Sequence, residues 1–436
     1  MKVLKFGGTS VGSAQCMREV ANLVLDGQKK IVVLSAMAGT TNALVEIANY
    51  LYKKNHDGAN EVINRLERIY FHEVNELYAT DEFRTKGNGL IRNHFEYIKS
   101  FTKDLFTVFE EKAILAQGEL ISTAMFNYFL QEKGYRSELL PSLDYMRIDK
   151  NNEPDAPYIK ENLNRMIAEL PDAEIFITQG YICRNAFGEV DNLQRGGSDY
   201  SASLIGAAIL ASEIQIWTDI DGMHNNDPRF VENTKSIHDL SFDEAAELAY
   251  FGAKILHPTS VLPAKLNNIP VRLLNTMDPK ADGTLISSHQ CKNRISAVAA
   301  KDGITAIKIK SGRMLLTYGF LRKVFEIFES YKTPIDMITT SEVGVSVTID
   351  NDRHLDDILD DLKKYGTVDV DRNQVIICVV GDLVASNKGY ANKIFEALKE
   401  IPIRMISYGG SNYNVSLLVS STDKIPALRA LSAKLF

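Results

Sequence analysis

Short apolar runs rich in β-branched residues alternate with longer amphipathic stretches through the first two thirds of the chain. The runs that predict strands are residues 3–6, 31–35, 174–179, 214–217 and 271–274. The stretches that predict helices are residues 14–25, 41–52, 112–130, 200–211 and 242–250. Because strands that alternate with helices build a parallel sheet covered by helices, this part is predicted to be an α/β layer domain.

After about residue 285 the pattern changes to short strands and helices in the order βαββαβ, and a sequence repeat is visible. The aligned segments are 319–328 with 389–398, 334–338 with 402–406, and 345–349 with 415–419. Glycine, aromatic and proline positions coincide, which argues against a chance match between amphipathic segments. The chain is therefore predicted to close with two copies of one small α+β unit.

Composition narrows the class of protein. The 436 residues are 45% hydrophobic and 24% charged, which is typical of a folded chain and excludes disordered, collagen-like and coiled-coil proteins. The net charge of -7 argues against a nucleic-acid-binding surface, so an anionic substrate would need a local basic cluster. The four cysteines form no C-x-x-C pair, and no secretory signal or membrane-length apolar run is present. We therefore expect a cytoplasmic protein without a membrane partner.

The first chemical signal follows the first predicted strand, in Lys5-Phe6-Gly7-Gly8-Thr9-Ser10. Paired glycines let the backbone approach a ligand closely, and amides at a helix N-terminus favour an anion such as phosphate. A glycine pair alone is more often a tight turn, but Lys5 interrupts an apolar strand and needs an anionic partner. The phosphate-loop, dinucleotide and protein-kinase motifs are absent from the sequence, so a nucleotide site here would be of another type.

Three further segments place polar residues beside predicted strand or helix ends. They are Arg195-Gly196-Gly197-Ser198-Asp199, Trp217-Thr218-Asp219 and Phe251-Gly252-Ala253-Lys254-Ile255-Leu256-His257-Pro258. An arginine fork suits a carboxylate, although Arg195 and Asp199 could instead pair with each other at a helix start. The end of a parallel strand, as at Thr218, is where open α/β sheets bind ligands. Lys254, taken alone, is more typical of a surface lysine.

Together, and in this order, the four segments resemble the aspartate kinase family along nearly the whole chain. The resemblance implies an amino-acid-kinase domain over residues 1–290, which is a three-layer α/β/α sandwich with an open, mostly parallel sheet. It also implies a regulatory region over 297–436 with two ACT modules, the first at about 309–372 and the second built from about 297–308 and 373–436. The implied activity is ATP-dependent phosphorylation of the β-carboxylate of L-aspartate to 4-phospho-L-aspartate, with Mg2+, at the entry to lysine, threonine and methionine synthesis.

The same resemblance assigns roles to residues of this chain. The catalytic residues would be Lys5, Asp199 and Lys254. L-Aspartate would be bound, with its α-carboxylate on the arginine and its α-amino group on the glutamate, by Thr41, Glu119, Arg195, Gly196 and Ser198. ATP would be bound by Lys5, Gly7, Gly8, Thr218, Asp219, His224, Arg229 and Lys254. Gln194 and His224 depart from residues found in the family, and no protein ligand of Mg2+ is assigned.

Part of the regulatory region is similar to the effector pocket of lysine-inhibited aspartate kinases. The corresponding residues are Met314, Thr317, Gly319, Phe320, Leu321, Asp336, Thr340 and Glu342. Asp336 and Glu342 would accept hydrogen bonds from ammonium groups, unless these acids form a solvated strand edge. Thr317 and Pro334 replace serines common in that pocket, which leaves lysine and threonine open as effectors. ACT modules usually pair across subunits, so we expect a homodimer or a larger homo-oligomer.

Two other functions compete with this interpretation. One is a kinase for another amino acid, against which residues 251–258 and the double ACT region argue. The other is an amino-acid sensor with an inactive kinase domain, against which the presence of Lys5, Arg195, Asp199 and Lys254 argues.

Overall fold

The computed structural model describes residues 1–103, 105–193, 196–252, 256–289, 294–311, 318–383 and 388–436. Within these ranges the strands are β1 (Lys2–Phe6), β2 (Lys30–Leu34), β3 (Ser137–Leu140), β4 (Ile175–Gln179), β5 (Ile182–Arg184), β6 (Val190–Asn192), β7 (Ile214–Thr218), β8 (Asp239–Ser241), β9 (Val271–Asn275), β10 (Thr284–Ser287), β11 (Ile295–Lys310), β12 (Ile338–Thr340), β13 (Gly344–Ile349), β14 (Thr367–Gly381), β15 (Met405–Tyr408) and β16 (Asn414–Ser420).

The helices of the described ranges are α1 (Ala14–Val24), α2 (Thr40–Tyr52), α3 (His56–Leu77), α4 (Asp81–Ser100), α5 (Val108–Leu115), α6 (Gln117–Glu132), α7 (Ser142–Tyr145), α8 (Ala156–Glu169), α9 (Gly197–Ile209), α10 (Phe242–Tyr250), α11 (Leu262–Leu266), α12 (Phe320–Ser330), α13 (Leu355–Lys363), α14 (Tyr390–Ala397) and α15 (Lys424–Leu435). Two compact units form. The first unit is Met1–Gly222 with Leu256–Ser288, and the second unit is Met223–Ile255 with His289–Phe436. None of the described helices is long and apolar enough to cross a membrane.

The first unit is built on a mostly parallel sheet whose strands run in the order β3-β4-β2-β1-β7-β9-β10. β1 pairs in parallel with β2 on one side and with β7 on the other, while β10 runs antiparallel to β9. The chain therefore extends the sheet first to one side of β1 and then to the other. In open α/β sheets, ligands bind at the carboxyl ends of the strands where this reversal occurs. The predicted α/β class is confirmed, and Lys5 lies at the reversal.

Burial explains why the strands of this unit were recognisable in the sequence. All five residues of β2 and of β4 are buried, as expected for parallel strands covered on both faces. The five predicted strands correspond to β1, β2, β4, β7 and β9 within one residue at each end. One helix prediction was wrong in detail, because residues 112–130 span two helices, α5 and α6, that meet at Ala116.

The second unit contains an antiparallel sheet with the strand order β12-β13-β11-β14-β16-β15. One hydrophobic core packs α12 and α13 against β13 and the second half of β11, with Phe328 and Ile358 fully buried. The other core packs α14 and α15 against β16 and the second half of β14, with Ile394 and Leu428 fully buried. The sheet is shared, since β11 and β14 contribute to both cores.

The sequence repeat is visible as repeated geometry in this unit. Gly319 and Gly389 have left-handed backbone, at φ of 83° and 93°, and each directly precedes a helix. Seventy residues separate them, and equivalent backbone hydrogen bonds run from Asp336 N–H to Thr348 C=O at 2.9 Å and from Arg404 N–H to Leu418 C=O at 2.8 Å. The prediction of two copies of one α+β unit is confirmed.

Candidate active site

Lys5 is the central basic residue at the sheet reversal. It lies one residue before the end of β1, and its Nζ lies 2.7 Å from Oδ1 of Asp199, in the first turn of α9. The two side chains are 12% and 17% exposed, so the pair is shielded yet open on one side. A salt bridge across two elements fixes the position of the ammonium group and leaves donors for an anion.

The glycine pair after β1 allows the backbone to pass close to its neighbours. The Gly7 amide donates to the Trp217 carbonyl at 3.4 Å, and Ala38 donates to the Gly8 carbonyl at 3.1 Å. A Cβ at Gly8 would stand 2.9 Å from the Ala36 carbonyl oxygen, which is backbone and cannot move aside easily. Gly8 is therefore required by the close approach of the turns after β1 and β2.

A cavity of about 510 Å³ opens beside this turn. Its walls come from the turns after β1 and β2, from α6, and from the segment around the start of α9. The lining residues include Gly8, Ser35, Thr41, Glu119, Tyr181 and Ser198. Its size suits a small-molecule site of the kind that bears a few converging polar groups.

Glu119 is the acidic residue of this cavity. It lies in the first turn of α6 and is 4% exposed. Burial raises the pKa of its carboxyl group from the ordinary 4.5 to about 7, although hydrogen bonds from the backbone amides of Ala36 and Glu119 itself oppose the rise. A cationic ligand group would favour the ionised form.

A chain of hydroxyl groups connects three walls of the cavity. Ser122 Oγ, on α6, donates to the Ser35 carbonyl at 2.8 Å, and Ser35 Oγ donates to Ser198 Oγ at 2.9 Å. Ser198 is adjacent to Asp199 on α9. The helix that carries Glu119 and the helix that carries Asp199 are thus tied together through the end of β2.

Residues predicted to bind the nucleotide fall into both units. At the end of β7, Thr218 Oγ1 donates to Asp219 Oδ1 at 3.1 Å, and Asp219 is exposed. His224 and Arg229 belong to the second unit. His224 Nδ1 hydrogen bonds with Thr234 Oγ1 at 3.0 Å, and Arg229 forms an exposed ion pair with Asp227 at 2.6 Å.

Two predicted residues of the active site, Arg195 and Lys254, lie outside the described residues, as does Gln194. Gly196 is described and has left-handed backbone, at φ 85°, as the N-cap of α9. Its position brings the start of α9 close to Ser260, whose Cβ would lie 3.0 Å from a Cβ at Gly196. The structure brings together Lys5, Gly7, Gly8, Thr41, Glu119, Ser198 and Asp199 in the first unit.

Comparison with known proteins decides between the kinase families. Residues 1–275 match the amino acid kinase family, and residues 377–435 match the ACT domain. The lysine-sensitive aspartokinase 3 of Escherichia coli is 33% identical over 100% of this chain and 99% of its own length. This chain belongs to the aspartokinase family.

Solved aspartokinase structures agree over the full length. E. coli aspartokinase III in complex with aspartate and ADP (R-state) has a TM-score of 0.84 at 32% identity and covers 100% of both chains. The same enzyme in complex with lysine and aspartate (T-state) has a TM-score of 0.81 at 33% identity, with 100% of this chain and 99% of that chain covered. The fold predicted for an aspartokinase is therefore confirmed.

The predicted effector residues of this aspartokinase lie in the second unit. Met314 and Thr317 are outside the described residues, and Gly319, Phe320 and Leu321 surround the start of α12. Thr340 ends β12, and Glu342 is exposed in the turn before β13. These residues lie on adjoining elements of one antiparallel sheet and its helix.

Asp336 is held more tightly than the sequence suggested. Its side chain is 1% exposed and lies 2.7 Å from Lys301 Nζ, which also lies 2.8 Å from Asp350. The Tyr250 hydroxyl donates to Asp336 at 2.8 Å. The pKa of Lys301 is raised, because hydrogen bonds to the two aspartates outweigh the lowering caused by burial. Asp336 therefore already has an ammonium partner from its own chain.

Sequence reasoning missed several residues that shape these sites. Ser35, Tyr181 and Lys301 were not selected, because a serine at a strand end, a tyrosine in a turn and a lysine in a strand have ordinary sequence contexts. A polar residue directly after the fully buried strand β2 was the one available signal for Ser35.

Proposed function

We propose that this chain is an ATP-dependent aspartate kinase that forms 4-phospho-L-aspartate. The observation that carries the proposal is the shielded Lys5–Asp199 pair at 2.7 Å, beside a cavity that contains Glu119 and Thr41, in a member of the aspartokinase family. The E. coli relative, crystallised with aspartate and ADP, supports aspartate as the phosphoryl acceptor and ATP, from which ADP is formed, as the donor. A kinase of another amino acid, or an inactive sensor, has no comparable support.

The chemistry requires positioning more than acid–base catalysis. The β-carboxylate of aspartate has an ordinary pKa near 3.9, so it is an ionised nucleophile at neutral pH and needs no general base. The barrier comes from bringing this anion to the anionic phosphates of ATP. Lys5 would neutralise charge on the transferred phosphoryl group, and the amide of Gly8 would add a donor. Gly7, whose amide already donates to the Trp217 carbonyl, would instead leave room for the phosphate beside Lys5. Asp199 holds Lys5 in place for this task.

Recognition of aspartate would rest on groups of opposite charge on the cavity walls. The ionised carboxylate of Glu119 would accept hydrogen bonds from the α-amino group, and Thr41 would offer its hydroxyl. Ser198 and Gly196, at the start of α9, would contact the carboxylate groups together with Arg195, which this proposal assigns to the α-carboxylate by family resemblance. Lys254 is assigned to the nucleotide side on the same ground.

Mg2+ would enter with ATP. Among the described residues, no group of three or more His, Cys, Asp or Glu side chains is placed to hold a metal ion. Mg2+ keeps several waters and commonly binds substrate phosphates, so a full set of protein ligands is not required. The ion would offset negative charge on the phosphates, and we assign no protein ligand to it.

We further propose that an amino-acid effector, most consistently L-lysine, inhibits the enzyme through the second unit. The support is the lysine-bound crystal structure of the E. coli relative and the exposed acidic side chain of Glu342, since Asp336 is already paired with Lys301. A homodimer or a larger homo-oligomer, formed through the ACT modules in the cytoplasm, completes the proposal.

One assay tests the reaction. Purified protein is incubated with ATP, Mg2+ and hydroxylamine, and the hydroxamate formed with aspartate is compared with that formed with glutamate. Aspartate-dependent hydroxamate is expected, and its absence refutes the kinase proposal. Separate titrations with lysine and threonine then identify the effector, and inhibition by neither refutes the regulatory part.

A further inference from the structure

The connection between β4 and β5 is a strained turn at the edge of the cavity. Ile182 N–H donates to the Gly180 carbonyl at 2.7 Å, and Tyr181 between them has a φ of 67°. A hydrogen bond across three residues with a positive central φ marks the rarer and more strained form of the γ-turn. Tyrosine has no preference for such a backbone, and strain of this kind persists only where its surroundings enforce it.

Contacts from three separate parts of the chain enforce this turn. Gly180 N–H donates to the Leu34 carbonyl at the end of β2, at 2.9 Å. Tyr181 N–H donates to Ser201 Oγ on α9 at 2.8 Å, and the Tyr181 carbonyl accepts from Leu193 N–H at 2.7 Å. A Cβ at Gly180 would lie 2.4 Å from the Cβ of Ser198, so the turn touches the first turn of α9 directly.

The partners of Tyr181 flank one short stretch of chain. Leu193 precedes residues 194 and 195, and Ser201 follows them in α9. The proposed function places Ser198, in the first turn of α9, among the residues that contact aspartate. One residue in a strained conformation thus fastens the chain on both sides of Ser198, and both Tyr181 and Ser198 line the cavity.

We propose that Tyr181 is a positioning residue for aspartate, and that its left-handed backbone, more than its ring, holds Leu193 and the first turn of α9, which carries Ser198, in place. The proposal rests on the proposed function. Relaxation of the turn would move Leu193 relative to Ser201 and weaken aspartate binding. ATP binding depends on other turns and would change little.

A pair of variants separates backbone from ring. Tyr181→Asn and Tyr181→Val both delete the ring, but asparagine tolerates positive φ whereas a β-branched residue does not. We expect the KM for aspartate to be at least about tenfold higher in Tyr181→Val than in Tyr181→Asn, with the KM for ATP within about threefold of wild type in both. Equal aspartate KM values in the two variants would overturn the proposal.

A second pair tests the contact on α9 and decides the matter if Tyr181→Val does not fold. Ser201→Ala removes the acceptor of the Tyr181 N–H, and Ser203→Ala removes another buried hydroxyl from the same helix. We expect Ser201→Ala to raise the aspartate KM about 5- to 50-fold and Ser203→Ala to change it less than about twofold. Similar values for both would also overturn the proposal. A wild-type enzyme without aspartate-dependent turnover would instead refute the proposed function.

Discussion

Replacing the buried carboxyl group of Glu119 should change the pH dependence of stability in the first unit. The folded protein holds this group at a pKa of about 7, against an ordinary value of 4.5. Between these values the folded state keeps a proton that the unfolded state releases. The free energy of unfolding therefore falls as pH rises through this window, and the stabilisation that is present below pH 4.5 is lost above pH 7.

The magnitude follows from the linkage relation. Each pKa unit corresponds to about 1.4 kcal/mol, so this one group should lower the free energy of unfolding by about 2 to 3 kcal/mol between pH 5 and pH 8. Glu119→Gln stays neutral throughout and keeps the side-chain length. The free energy of unfolding of the variant, relative to that of wild type, should therefore increase by about 2 to 3 kcal/mol as the pH rises over that interval.

The chain offers a specific probe for this measurement. Its single tryptophan, Trp217, lies in β7 and stacks on Phe6 with ring centroids 5.7 Å apart, so its fluorescence reports unfolding of the first unit. Urea unfolding would be followed at pH 5, 6, 7 and 8 for wild type, Glu119→Gln and the exposed control Glu138→Gln. If the free energy of unfolding changed equally with pH in Glu119→Gln and in wild type, the raised pKa of Glu119 would be refuted. In the same variant the aspartate KM should rise, because the acceptor for the α-amino group loses its charge.

Three further predictions concern the glycine turn, its lysine and the second unit. Lys5→Ala should lower kcat at least about 100-fold, whereas the control Lys2→Ala, on the same strand but with a side chain that is 41% exposed, should leave kcat unchanged. Near-wild-type turnover of Lys5→Ala in the hydroxamate assay would show that Lys5 has no catalytic role. Gly8→Ala should destabilise the first unit by about 1 to 3 kcal/mol, because the new Cβ would lie 2.9 Å from a carbonyl oxygen. The control Gly89→Ala, in open space within α4, should stabilise the unit by up to about 1 kcal/mol. Changes of the same sign in the free energy of unfolding by urea would contradict this prediction. Lys301→Met should destabilise the second unit by about 3 to 5 kcal/mol, because it leaves Asp336 without its ammonium partner. Adding Asp336→Asn in the same chain should recover part of the lost stability. An unchanged thermal unfolding transition of this unit in calorimetry would refute the importance of the ion pair.

Local sequence patterns could predict the parts of the fold that depend on local physics. Apolar runs bounded by glycine or polar residues located β1, β2, β4, β7 and β9, because strands buried on both faces leave no polar alternation. The break between α5 and α6 could not be predicted in this way. Leu115-Ala116-Gln117 contains neither glycine nor proline, and Gly118, the next residue, lies inside α6 and not at the break.

Long-range contacts set the limits of prediction at the sites. Lys5 was recognisable because a lysine inside an apolar strand needs a partner, and Asp199 satisfies that need. The strain at Tyr181 depends on Leu193 and Ser201, whose proximity only the fold creates. Likewise, Lys301 is ordinary in sequence, and its importance arises from its ion pair with Asp336, which lies just before β12 in the same unit. The grouping of Met223–Ile255 with the C-terminal region also follows from contacts between distant segments.

The pairing of the two long strands of the second unit affects how this unit folds during synthesis. Ile295–Lys301 of β11 pairs with Ile376–Gly381 of β14, whereas Ile304–Lys310 pairs with Thr367–Gln374. The start of β11 is synthesised first, the module that contains α12 and α13 follows, and the pairing strand β14 is synthesised only after that module. At ordinary translation rates, an apolar strand must therefore wait several seconds with its hydrogen-bonding edge open. Early termination of translation within α13, before β14 is made, would leave this edge permanently uncovered, and such fragments should aggregate rather than persist as a shortened second unit.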